Sequence, residues 1–91
     1  MRVTWDPAKS IANVNKHGIS FVDAATVLDD PLALTIADDR HDERRFVTLG
    51  CDLAGRLLVI VYAHNASGDI RLISSRRATR RERKAYENEE S

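Results

Sequence analysis

Residues 57–63, Leu-Leu-Val-Ile-Val-Tyr-Ala, form an unbroken apolar run of seven residues flanked by polar turn residues. A helix with one wet face would interrupt such a run, whereas a strand covered on both faces does not. The run is also too short for a typical helix. It therefore predicts the central strand of a sheet. Its connections are short: Asp52–Arg56 before it contains Gly55, and His64–Asp69 after it contains Asn65, Ser67 and Gly68. Both read as hairpin loops. The neighbours are then antiparallel partners, Arg45–Cys51 on one side and Ile70–Ser75 on the other. Leu32–Ala37 reads as a further strand, joined to Arg45–Cys51 by the polar stretch Asp38–Glu43.

The first third of the chain follows a different grammar. Arg2–Trp5 reads as a short strand, with Trp5 expected in the core. Asp6-Pro7 then supplies an N-cap and a proline at the first helical position, where its missing N–H is not needed. The helix is predicted to run to His17, with Ala8, Ile11, Ala12 and Asn15 on one face, and to stop at Gly18. Ser20 and Asp23 start a second helix, whose Phe21, Ala24, Ala25 and Leu28 are spaced as one buried stripe. Asp29-Asp30-Pro31 ends it. At the far end, Thr79 and Glu82 have capping-box spacing, so a last helix begins near Arg80. The predicted order is β-α-α-β-β-β-β-α: an α+β fold, with an antiparallel sheet packed by helices, in one domain over residues 1–91.

Charge is balanced overall, with 14 Lys and Arg against 14 Asp and Glu. That argues against nucleic-acid binding by bulk charge, but the distribution is uneven. Arg71, Arg76, Arg77, Arg80, Arg81, Arg83 and Lys84 gather where the last strand meets the last helix, opposed there only by Asp69 and Glu82. Such a junction suits a polyanion, and nucleic acid is the commonest. The alternative is a solvated helix face, or one that docks on an acidic protein. Cys51 is the one cysteine, so no intrachain disulfide is possible. No signal-peptide core and no membrane-length apolar run is present, so a cytoplasmic protein is expected. A metal or cofactor is not expected, since zinc spacing and a phosphate-cradling glycine loop are both missing.

Trp5-Asp6-Pro7, Asn13, Lys16-His17-Gly18, Phe21, Asp30-Pro31, Glu43, Arg45, Gly50 and Ile73-Ser74-Ser75-Arg76-Arg77-Ala78 occur in an order and spacing that resemble the BrnT toxins of type II toxin–antitoxin systems. The resemblance spans Val3 to Tyr86. It implies a RelE-like fold and a ribonuclease that halts translation. It further implies a BrnA-type ribbon-helix-helix antitoxin as partner, with operator DNA bound only through the toxin–antitoxin complex.

Metal-free RNA cleavage needs a base for the 2′-hydroxyl, an acid for the leaving oxygen and cations for the charged phosphorane. Arg76 is the expected transition-state donor, with Arg71, Arg77, Arg80, Arg81, Arg83 and Lys84 as RNA contacts. Glu43 and Arg45 share a strand face, as a base with its orienter or as a plain ion pair. His41 is the favoured histidine because it lies in a loop near Glu43. His17 reads instead as a C-terminal helix residue that favours the dipole. Tyr86 is an acid, a base-stacking platform or a packing residue. The rival class is a non-catalytic nucleic-acid- or protein-binding module that uses the same basic junction.

Overall fold

A computed structural model of the chain describes residues 2–90, with side chains through residue 88. The elements run β1 (Val3–Thr4), α1 (Pro7–His17), α2 (Phe21–Ala25), a 3-10 turn (Thr26–Asp29), β2 (Leu34–Asp38), β3 (Arg45–Cys51), β4 (Leu57–His64), β5 (Ile70–Arg77) and α3 (Arg80–Glu90). The strands form one sheet in the order β1-β5-β4-β3-β2. β2 to β5 make an antiparallel meander, as the short loops require. β1 is separated from the rest by two helices, and it joins β5 in parallel through Val3/Ile70 and Thr4/Arg71. The sheet is therefore mixed.

One face of the sheet carries the core. Leu58, Ile60 and Tyr62 of β4, with Ile70 and Leu72 of β5, pack against Ile19, Phe21, Ala24 and Val27. Each such large apolar side chain contributes roughly 1.5–3 kcal/mol on burial. Trp5 packs its edge on Phe21, ring centroids 6.3 Å apart. Ser20 caps α2 by accepting from the Asp23 amide at 3.2 Å. The helix tightens into the 3-10 turn after Ala25, so the fully buried positions are Phe21, Ala24 and Val27, three residues apart. Ala25 and Leu28 of the expected stripe pack only partly against this core. β2 begins at Leu34 rather than Leu32, because Asp30 Oδ1 takes the Leu32 amide at 2.9 Å in a turn.

α1 has the expected ends: Asp6 caps it, and Gly18 stops it at φ 74° in the left-handed region. The face shared by Ala8, Ile11, Ala12 and Asn15 is not the one that packs, however. Ala8, Ala12 and Asn15 are exposed, and Ile11 is 65% exposed. The buried residue is Asn13. Its amide lies against β5 beyond the end of β1. Nδ2 donates to Ser75 O at 2.9 Å and to Ile19 O at 2.8 Å, while Oδ1 accepts from Ser75 N at 3.1 Å. One side chain thus takes the place of a neighbouring strand. α1 packs by hydrogen bonding at a sheet edge, where an apolar stripe has nothing to cover.

β5 contains a bulge. Val61 pairs with Ser74 but Tyr62 pairs with Leu72, so Ile73 is the extra residue. Arg71 and Arg76 are an odd number apart, and a regular strand would place them on opposite faces. The bulge brings Arg71, Ser74 and Arg76 onto one face, opposite the core. They share it with Arg45 and Val47 of β3 and with Val59, Val61 and Ala63 of β4, their register partners.

Candidate active site

The β5–α3 junction is built by one carboxylate. Glu82 N donates to Thr79 Oγ1 at 3.2 Å, and Thr79 N donates to Glu82 Oε1 at 2.8 Å, which is the capping box expected from the sequence. The same carboxylate receives Nη1 and Nη2 of Arg76 at 2.8 and 2.9 Å. The Arg76 hydrogen bond pushes the Glu82 carboxyl down to about 2, against the opposing effect of burial. Arg76 also donates from Nη1 to Arg77 O at 3.2 Å. A guanidinium has five N–H donors. Those left over are Nε–H and the second Nη2–H, a parallel fork suited to one phosphate. The helix that starts beside it leaves its first-turn amides without intrahelical acceptors.

The second charged centre lies farther along the same face. Glu43 accepts from Nη2 of Arg71 at 2.7 and 2.9 Å, and from Nε and Nη2 of Arg45 at 3.1 and 2.9 Å. These bonds, that from Arg71 first, hold the Glu43 carboxyl below its ordinary range. A carboxylate stabilised in this way is a weak proton acceptor at neutral pH. Its geometry is that of an ion-pair hub that fixes two arginines. Arg76 pairs with Val59, whereas Arg45 and Arg71 pair with Ala63. That separates the two centres by roughly 13 Å at about 3.3 Å per residue.

Beside Arg76 the same face holds a groove of about 250 Å³. Val47, Val59 and Val61 form its apolar side, with Ser74, Ser75 and Arg76 from β5, Asp38 and Arg40 from the end of β2, and His17 from the end of α1. Asp38 accepts from Arg40 Nε and Nη2, both at 2.8 Å, which keeps its carboxyl well below the usual range. Among the described residues, no three His, Cys, Asp or Glu side chains come together as a metal-ligand group.

The residues expected to act together are thus distributed. Arg76 lines the groove, whereas Glu43 and Arg71 line a separate cavity with Arg2, Thr4 and Asp69, and Arg45 is tied to Glu43 there. Arg77 pairs with Leu58 and points to the core side of the sheet, so the cations are not one continuous patch. Arg80, Arg81, Arg83 and Lys84 are exposed along α3. His41 is exposed in the β2–β3 connection, its Nε2 3.7 Å from Asp38 Oδ2, and it does not line the groove. Tyr86 is buried, and its hydroxyl donates to Asp30 Oδ2 at 2.6 Å, tying α3 to the end of the 3-10 turn. That bond raises the Tyr86 hydroxyl well above its ordinary range, which suits an anchor and not an acid. Sequence reasoning set His17 aside as a helix-end residue and gave Ser74 no role. Both lie within short motifs quoted above, but only the bulge and the C-terminus of α1 bring them to the groove.

Three comparisons bear on this geometry. A family model described as the ribonuclease toxin BrnT of type II toxin–antitoxin systems matches residues 5–82. The 1.1 Å crystal structure of the Brucella abortus ribonuclease toxin BrnT superposes with a TM-score of 0.66 at 22% identity, covering 88% of this chain and 99% of that one. No curated protein matches the chain. The structural likeness bears out the α+β fold and its β-α-α-β-β-β-β-α order. With the family model spanning most of the sequence, the chain belongs to the BrnT family of ribonuclease toxins.

Proposed function

We propose that this chain is an endoribonuclease toxin that cleaves RNA without a metal ion, thereby inhibits translation, and is neutralised by a BrnA-type antitoxin. The observation that carries this reading is the groove on the open face, with the guanidinium of Arg76, held by Glu82, on its lining beside an apolar wall of Val47, Val59 and Val61. Arg76 presents its free fork to the scissile phosphate and stabilises the phosphorane as charge develops. Arg45 and Arg71, oriented by Glu43, hold an adjacent part of the RNA backbone. Val47 and Val61 offer apolar contact to a ribose or base. Arg80, Arg81, Arg83 and Lys84 extend the electrostatic track along α3, and Arg77 adds attraction from the other side. An antitoxin that covers the β5–α3 junction neutralises the charge and blocks RNA together. Operator DNA is bound by that complex and not by the toxin alone.

The test is a purified assay on a single-stranded RNA oligonucleotide, with and without chelator, paired with growth measurements on induction. Cleavage that resists chelator, with growth arrest relieved by the antitoxin, is the expected result. A folded chain that binds RNA and cleaves none would instead favour a non-catalytic binding module.

A further inference from the structure

We propose that His17 is a catalytic residue of the groove, its neutral imidazole taking the proton from the ribose 2′-hydroxyl. This rests on the ribonuclease reading above and supplies the base which that reading lacks.

Three observations converge on it. First, His17 lines the same groove as Ser74 and Arg76, so its imidazole and a phosphate held by Arg76 share one cavity. Second, His17 is half-buried, and no hydrogen bond or ion pair occupies its ring among the described residues. Third, the carboxylates near the groove are all committed: Asp38 to Arg40, Glu43 to Arg71 and Arg45, and Glu82 to Arg76. The competing histidine, His41, lies 3.7 Å from Asp38 Oδ2 but is not on the groove's lining. The charged groups around His17 are Asp38, Arg40 and Arg76 across the groove, and Lys9 and Lys16 on its own helix. Imidazole is the side chain that exchanges protons near neutral pH without further tuning.

The step balances without a co-reactant other than water. The 2′-oxygen loses its proton to His17 and forms a bond to phosphorus. The phosphorus–O5′ bond breaks, and O5′ takes a proton from water. The products are a 2′,3′-cyclic phosphate and a 5′-hydroxyl. His17 then releases its proton to solvent.

The experiment compares the wild-type chain with His17→Ala and His17→Gln, on an RNA oligonucleotide and on the same sequence with a 2′-deoxy ribose at the cleaved position. Both variants are expected to cleave about 100-fold more slowly or worse, with binding of the 2′-deoxy oligonucleotide and thermal unfolding close to wild type. The acidic limb of the wild-type rate–pH profile should disappear in both, and added imidazole should restore cleavage to His17→Ala. Wild-type rates in the variants would overturn the proposal and leave the ribonuclease reading intact. So would a loss that imidazole does not rescue and that leaves the pH profile unchanged, since that marks a positioning role. Should both substitutions prevent folding, a wild-type profile with no acidic limb overturns it. A wild type that cleaves nothing overturns both readings.

Discussion

Glu82→Gln separates two tasks that this structure gives to one carboxylate. Glu82 closes the capping box of α3 and also holds Arg76. Glutamine still serves a capping box, so the helix start survives and the ionic bond to Arg76 is lost. The carboxyl is lowered from its ordinary 4.5 to about 2. At about 1.36 kcal/mol per pH unit, that corresponds to about 3 kcal/mol for its bonds before solvent screening. The side chains of Arg76 and Glu82 are 44% and 29% exposed, so solvent screening removes much of that. A net loss of about 1 kcal/mol is expected, which lowers the unfolding midpoint by roughly 4–8 °C in a domain of this size. The sign with pH follows from the lowered carboxyl. Its stabilisation is fully present above the unfolded value, 4.5, and is lost as pH falls through about 2. Thermal unfolding by circular dichroism should therefore show a wild-type advantage at neutral pH that shrinks steadily in acid. Other carboxylates titrate in both proteins and cancel in the difference. The freed guanidinium should also tighten RNA binding by about two- to fivefold at low salt. An unfolding difference that stayed constant from neutral pH to about pH 2 would refute the ionic account.

Further outcomes follow from the same contacts. Asn13→Ala strips partners from the Ser75 amide and carbonyl and the Ile19 carbonyl, and should cost about 2–4 kcal/mol in denaturant unfolding. Arg76→Ala and Arg45→Ala should each lower RNA cleavage about 100-fold or more while the fold survives; near-wild-type rates in the purified assay would place the site elsewhere. Tyr86→Phe should lose about 1 kcal/mol of stability with the cleavage rate within about twofold of wild type, because its hydroxyl serves Asp30. A large fall in rate with unchanged stability would return Tyr86 to the chemistry.

What the sequence made legible was the part governed by local chemistry. The apolar run of β4, the caps at Asp6, Ser20 and Thr79, and the stop at Gly18 each act within a few residues, and each was found where expected. The site was less legible because its assembly is non-local. Arg71 and Arg76 share a face only through the bulge at Ile73, and no residue type marks a bulge there. The arginines clustered in sequence are accordingly divided in space. α1 misled for a related reason: its apolar positions suggest a buried stripe, yet it docks through the Asn13 amide on a strand edge. His17 reached the groove by the same docking, which sequence spacing alone does not reveal.

An uncovered strand edge is a template on which another chain can grow. In this sheet β5 runs past the two-residue β1, and the Asn13 amide takes the Ser75 groups that such a template would present. Thr35, Ile36 and Ala37 of β2, on the opposite edge, are exposed. The Ser75 amide and carbonyl already have partners, so an incoming strand finds no free pair at Ser75. Asparagine at position 13 thus guards a strand edge as well as tying α1 to the sheet.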